Sequence, residues 1–363
     1  MRRPGGRDRV PGGGDARAYA VPVAPTARDV AALAGVSVKT VSRVVNGEPH
    51  TRPEIVQRVT AAMAELDWTP SATARSLRTR RTGMVGIGVA ELRRPYLATL
   101  VEALVAEADQ RGIPVAVEPT HGDGDRTRAL FDARGRLFDG LVHIGAPPPG
   151  VGTHGALTDR PVVVVQGGHE VGAMDRVEED VDEAVALVAR HLAVMGRRHP
   201  VLVGADRARR PDEAPDRPST RMRTALAGAG IDPSRVPVVA LDGVADRRAG
   251  AHAAERAPAA HAGLDALVCV TDEVALGALA TLSAHGVDVP GAVAVIGYDD
   301  LDDGRFSTPS LTTVDPGPAR LARVALELLG ERLAGRGPRD PRVVTLPVHL
   351  VRRESTLGGG VLP

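Results

Sequence analysis

Apolar positions follow two different rhythms along the chain. From Thr26 the rhythm is helical. Thr26 can cap a helix carrying Val30, Leu33 and Ala34, and Gly35 interrupts it as a tight turn with positive φ requires. Ser37 can cap a second helix whose Val41, Val44 and Val45 form one apolar stripe, and Asn46-Gly47 stops it. Thr51-Arg52-Pro53-Glu54 reads as a capping box with an early proline. A third helix follows on Val56, Val59, Met63 and Leu66, and Trp68-Thr69-Pro70 ends it. Three short helices, the first two joined by a glycine turn, predict a helix-turn-helix domain over residues 26–70.

From Met84 the rhythm changes to alternating strand and helix. Apolar runs at Met84–Val89, Ile113–Val117, Gly140–Ile144 and Val162–Val165 suit buried parallel strands. Leu97, Leu100, Val101, Leu104, Val105 and Ala108 share one helical face, as do Val181, Val185, Val188, Leu192 and Met195. A second set of strands follows at Val201–Val203, Val238–Leu241, Ala266–Val270 and Ala292–Ile296, with helices at 220–229, 246–258 and 273–285. A helix at 318–334 and a strand at 342–350 complete the series. The expected fold class is α/β: a three-helix head, then two doubly wound parallel-sheet subdomains within residues 83–353, with ligands at the carboxyl ends of the strands. Residues 71–82 are polar and basic and read as a linker that orders on contact with a partner. Residues 1–25, rich in Gly and Pro, read as a disordered basic tail, and 354–363 as a C-terminal tail.

Charge sharpens this picture. Formal net charge is zero over 363 residues, yet residues 1–82 carry 14 Lys+Arg against 7 Asp+Glu, and the remainder is acidic by the same margin. A basic head on an acidic body suggests that one end meets a polyanion, with a solvated basic tail as the alternative that charge alone does not exclude. Cys269 is the only cysteine, which excludes an intrachain disulfide and a multi-cysteine metal site. No signal-peptide core or membrane-length apolar run occurs, so a cytoplasmic protein is expected.

The most specific motif spans Asp29-Val30-Ala31, Ala34-Gly35-Val36-Ser37 and Val38-Lys39-Thr40-Val41-Ser42-Arg43-Val44-Val45-Asn46-Gly47. Val38 and Lys39 fall in the first turn of the second helix, where recognition helices reach base edges, and Arg43 lies one turn later on the same face. Lys39 and Arg43 can donate to guanine, Val38 can pack on a thymine methyl, and Thr40 and Ser42 can hold phosphates. Asn46 completes this candidate surface.

In these residues the chain resembles the lactose-repressor (LacI) family of transcriptional regulators. Ala61-Ala62-Met63-Ala64-Glu65-Leu66, Ala74-Arg75-Ser76-Leu77-Arg78, Gly297-Tyr298-Asp299-Asp300, Leu311-Thr312-Thr313-Val314 and Arg353-Glu354-Ser355-Thr356 extend the match. The resemblance implies a homodimer or tetramer on a roughly palindromic operator, with base readers at Val38, Lys39 and Arg43. It implies that residues 71–79 form a hinge helix in the minor groove, with Leu77 as the wedge and Ala74 on the same face. It implies periplasmic-binding-protein-like subdomains with a small-molecule effector, a sugar or sugar derivative, between them.

Candidate effector contacts are Arg94, Tyr96, Gln166, Arg217 and Asp272. Several positions depart from the family's sugar-binding pattern: Thr271 stands where Asn is usual, Gln166-Gly167 replaces Asp-Arg, and Val181 replaces Asn. Arg93-Arg94-Pro95-Tyr96 replaces Asn-Pro-Phe, and Arg217 adjoins a Pro218 that replaces a common Arg. Arg94 equally offers charge-assisted contacts to an anion. Asp299-Asp300 and Asp302-Asp303 read as helix caps or loop residues, and Glu178-Glu179-Asp180 as acids at a helix N-terminus. No cofactor or metal is implied. Two alternatives stay open: a dinucleotide-dependent enzyme, for which Gly86-Ile87-Gly88 lacks the third glycine, and a sugar-binding protein that never touches DNA.

Overall fold

The structure, a computed structural model, describes residues 25–45, 47–48, 51–69, 81–134, 136–151, 161–168, 174–204 and 218–358. The chain divides into two compact units, Met1–Arg80 and Arg81–Pro363.

The first unit contains α1 (Ala27–Ala34), α2 (Val38–Val45) and α3 (Pro53–Glu65). The Asp29 carboxylate accepts from the backbone N–H and the hydroxyl of Thr26, both at 2.7 Å, and so fixes the start of α1. Gly35 ends it at φ 61°, and the Arg58 guanidinium of α3 donates to the carbonyls of Ala34 and Gly35. Ser37 Oγ accepts from Thr40 N at 3.1 Å and starts α2. The expected capping box before α3 does not form: Arg52 occupies the cap with no side-chain bond, and Pro53 sits in the first turn. Val30, Ala31, Ala34, Val41, Val59 and Ala62 make the core of this small unit.

The second unit holds two six-stranded sheets. The first runs in the order β11-β5-β4-β3-β1-β2: Val343–Leu346, Asp175–Glu179, Val162–Val165, Gly140–Ile144, Val85–Val89 and Val115–Pro119. All its pairings are parallel. Helices α4 (Pro95–Gln110) and α11 (Pro318–Leu333) cover one face, and α5 (Gly124–Asp132) the other. The second sheet runs β12-β10-β9-β8-β6-β7: His349–Val351, Thr312–Asp315, Ala294–Tyr298, Ala266–Cys269, Pro200–Val203 and Val238–Val239. Only β10–β12 is antiparallel. Its faces are covered by α8 (Arg247–Ala260) with α9 (Asp272–Ala284), and by α6 (Val181–Val194) with α7 (Pro218–Gly228), and the short α10 (Asp302–Arg305) follows β9. The chain therefore passes between the subdomains three times: after β5, after β10 and between β11 and β12.

Several elements depart from the expectation. The single strand expected at 342–350 is two strands in different sheets, because Pro347 breaks the run. Strands β5 and β10 and helix α5 were not expected. Residues 354–357, within the expected C-terminal tail, form α12 (Glu354–Leu357), and its Ser355 Oγ donates to the Val295 carbonyl at 2.6 Å. Gly88 lies inside buried β1, where a Cβ would come within 2.6 Å of the Leu130 side chain and 2.8 Å of His143 Nδ1. Close packing, not phosphate binding, explains that glycine. The tail 1–24 and linker residues 71–80 lie outside the described residues.

One buried ion pair ties the first sheet to its covering helix. Asp175, 0% exposed, accepts from Arg332 Nε and Nη2 at 2.8 Å each and from Arg342 N at 2.8 Å. Burial alone would raise the Asp175 pKa, but the hydrogen bonds from Arg332 and Arg342 outweigh it and hold the carboxyl below its ordinary range.

Candidate functional site

Helix α2 has two unlike faces. Val41 is buried and Val44 and Val45 half-buried against α1 and α3, while Val38, Lys39 and Arg43 are exposed. Lys39 and Arg43 lie one turn apart on the same face, and Val38 leaves an apolar side chain 45% exposed in the first turn. Arg43 Nε donates to Glu48 Oε2 at 3.2 Å, an arrangement that leaves the two terminal nitrogens for another acceptor. Thr40 is half-buried, its hydroxyl 2.9 Å from that of Ser37, and Ser42, two residues further along the helix, is also half-buried. Asn46, Ala74, Leu77 and Arg217 lie outside the described residues.

A second site lies in the Arg81–Pro363 unit, where the ends of strands from both sheets face each other. A cavity of about 170 Å³ is lined from the first subdomain by Arg94, Pro95, Tyr96, Leu97 and Gln166, and from the second by Thr271, Glu273 and Asp299. Arg94 and Tyr96 stand at the start of α4, and Gln166 follows β4. Gln166 Nε2 donates to the Tyr96 hydroxyl at 2.8 Å. Three described non-glycine residues with positive φ gather here: Gln166 at 56°, Asp299 at 120° and Asp300 at 51°. Such strain persists where the surroundings over-determine it, and it collects at binding sites.

Asp272 is placed differently from the expectation. It is fully buried behind the cavity, with Thr313 Oγ1 donating to Oδ1 at 2.6 Å and Leu301 N donating to Oδ2 at 2.7 Å. Oδ2 thus holds the turn after Asp299 and Asp300 directly, and Oδ1 holds it through Thr313 of β10, whose hydroxyl accepts from Asp300 N at 3.3 Å. Asp300 in turn accepts from Arg353 Nη2 at 2.6 Å.

Sequence reasoning missed two acids. Asp180 does cap α6, accepting from Glu183 N at 2.9 Å, but Glu178 and Glu179 end strand β5 rather than open the helix. Glu179 lines a further cavity of about 250 Å³ with Gln166, Gly168, Val181, Pro218 and Arg221. Burial raises the Glu179 pKa, and it raises that of Asp299 further, where the Asp272 charge adds to the effect and Arg94 opposes it. Burial also pushes Asp272 up to about 6, against the bonds from Thr313 and Leu301. The cleft thus carries carboxyls that favour a proton or a hydrogen-bond donor.

A helix-turn-helix head with an exposed basic recognition helix, followed in the chain by a two-subdomain binding core, defines an effector-responsive DNA-binding regulator. Comparison with known proteins places it. Residues 26–71 match the model for bacterial regulatory proteins of the lacI family, and 189–356 the periplasmic binding protein-like domain. The chain is 30% identical over 338 residues to the HTH-type transcriptional repressor PurR of Pectobacterium atrosepticum, covering 92% of this chain and 97% of that one. A solved LacI-family transcriptional regulator from Sanguibacter keddieii is 36% identical with a TM-score of 0.64, covering 77% of this chain and 100% of that one. The transcriptional regulator CelR in complex with cellobiose is 26% identical with a TM-score of 0.62, covering 91% and 99%. The chain belongs to the LacI family and is a DNA-binding transcriptional repressor; its relatives are repressors, not enzymes. No helix among the described residues is long and apolar enough to cross a membrane.

Proposed function

We propose that this repressor reads a pseudo-palindromic operator as a homodimer in the cytoplasm and releases or grips it according to a small molecule in the cleft. Val38, Lys39 and Arg43 contact base edges in the major groove, and Thr40, Ser42 and Asn46 hold the backbone. Residues 71–82 act as the hinge, in which Leu77, with Ala74 on its face, wedges between base steps of the minor groove. The observation that carries this reading is the exposed row of Val38, Lys39 and Arg43 on a helix whose opposite face is locked into the head.

The effector acts by linkage. Arg94, Tyr96 and Gln166 come from one subdomain, Thr271, Glu273 and Asp299 from the other, so a ligand touching both sets favours one angle between them. It shifts operator affinity only by its differential affinity for the two arrangements. Arg217 and Asp272 join the site as a contact and as the support of the Asp299 turn. The buried carboxyls of Glu179 and Asp299 favour a hydrogen-bond-donating ligand over an anion, despite Arg94. Sugars belong to the donating class, and the cellobiose complex of a relative supports them.

Selection of genomic fragments by the purified full chain, with and without a panel of sugars, tests the reading. Enrichment of one inverted repeat, altered by a panel member, is the expected result. Recovery of fragments with no common sequence would overturn it.

A further inference from the structure

Behind the cleft the second subdomain contains an apolar cavity. It has a volume of about 250 Å³ and lies between the sheet and helices α6 and α7, with Val185, Val188, Leu202, Met222, Val268 and Val314 in its wall. The cavity is partly open rather than a sealed void. An apolar cavity of about 150 Å³ already stays dry and admits benzene.

The cavity is linked to the cleft through a chain of shared wall residues. Glu179, Val181 and Pro218 line it and also line the neighbouring cavity that reaches Gln166, and Gln166 lines the cleft itself. Its polar groups are few. Glu179 ends β5, and the Tyr298 hydroxyl is buried near the Glu179 carboxyl without a hydrogen bond of ordinary geometry among the described residues. The wall is thus mostly apolar, with one thiol, Cys269, one acid and one phenol.

We propose that this cavity takes the apolar body of the effector, an aryl ring or short alkyl chain, while a hydrogen-bond-donating head, an amine or a hydroxyl, meets Glu179 and Tyr298. The proposal rests on the reading of the cleft as the effector site and narrows its ligand to amphipathic molecules. A bare sugar suits the polar cleft, but in this cavity it would strand its hydroxyls against Val188 and Met222. A glycoside with an apolar substituent, or an aryl or alkyl amine, meets both environments. A carboxylate head would face Glu179 and Asp299 and is disfavoured.

Calorimetric titration of the full chain with n-alkylamines and n-alkanols, from ethyl to octyl, tests this. Affinity should rise about fourfold per methylene and level off once the cavity is full. The two series show which head is preferred, and the matching n-alkyl carboxylates should bind at least tenfold more weakly. Val188→Phe, which fills the cavity, should flatten the dependence on chain length; Ala184→Leu is the smaller filling variant should the first not fold. A flat series in the wild type would overturn the proposal, as would a rise that continues unchanged in a folded filling variant. Operator affinity measured in the same samples separates the two readings. Operator binding with a flat alkyl series rejects the cavity assignment alone. A graded alkyl series that never alters operator affinity supports the cavity and rejects its coupling to DNA.

Discussion

Asp175→Ala should destabilise the core more than any single change in the cleft. The wild-type carboxylate accepts two bonds from Arg332 at 2.8 Å, one from the Arg342 backbone at 2.8 Å and one from Arg342 Nη2 at 3.3 Å. Arg332 is 4% exposed, so removing its partner strands a cation away from water. Breaking one side of such a buried pair costs about 3–5 kcal/mol. For a domain of this size that lowers the Tm by on the order of 10 °C. Urea unfolding followed by circular dichroism measures it. Replacing both partners, Asp175→Leu with Arg332→Met, should recover most of the loss, because no charge is then left unpaired. The sign with pH also follows. Asp175 has a depressed pKa, so its contribution is complete above the ordinary aspartate pKa and is lost progressively as pH falls from there through the lower folded value. A loss below about 1 kcal/mol in Asp175→Ala, the value expected of an exposed pair, would refute the assignment of this pair as the clamp between β5 and α11.

The remaining predictions concern DNA and pH. Arg43→Ala should lose about 1–3 kcal/mol of discrimination at one base pair; its exposed partner Glu48 holds it only weakly. Competition between the selected operator and single-base variants checks this, and an unchanged ranking of the variants would contradict base contact. Leu77→Ala should weaken operator binding far more than binding to random duplex, and equal losses in a filter assay would reject the wedge. Asp272 runs opposite to Asp175: its folded pKa is raised to about 6, so folding binds its proton more tightly and stability from this group falls as pH rises from about 4 to about 6. Unfolding of Asp272→Asn across that window should lack this slope, and a slope identical to wild type would reject the assignment.

The head was legible in the sequence because its signals are local. Thr26, Gly35 and Ser37 act on neighbours a few residues away, so their spacing alone locates α1 and α2. The valine-rich strands were equally legible, since β4 is apolar throughout, β3 is apolar but for His143, and both are buried at every position. Strand β5 was hidden because Asp175, Arg176, Glu178 and Glu179 make it look like a surface segment. What buries Asp175 is Arg332, 157 residues away, and no local pattern reveals that partner. The same blindness misplaced Glu179, whose position at a strand end beside the cleft depends on the sheet rather than on its acidic neighbours. Asp272 shows the limit of a matched motif: the position is right for the cleft, but whether the carboxylate faces ligand or the Leu301 backbone is decided by a turn 29 residues further on. Arg94, Tyr96 and Gln166, by contrast, share one cavity wall.

The account stands on sequence-specific DNA binding by the α2 surface. Its most direct test is titration of the full chain against the selected inverted repeat and a scrambled duplex of equal length, at one salt concentration, with wild type and Lys39→Ala in parallel. The wild type should prefer the repeat by about a thousandfold or more, with a preference sharply reduced in Lys39→Ala. Equal affinity of the wild type for both duplexes would contradict the account.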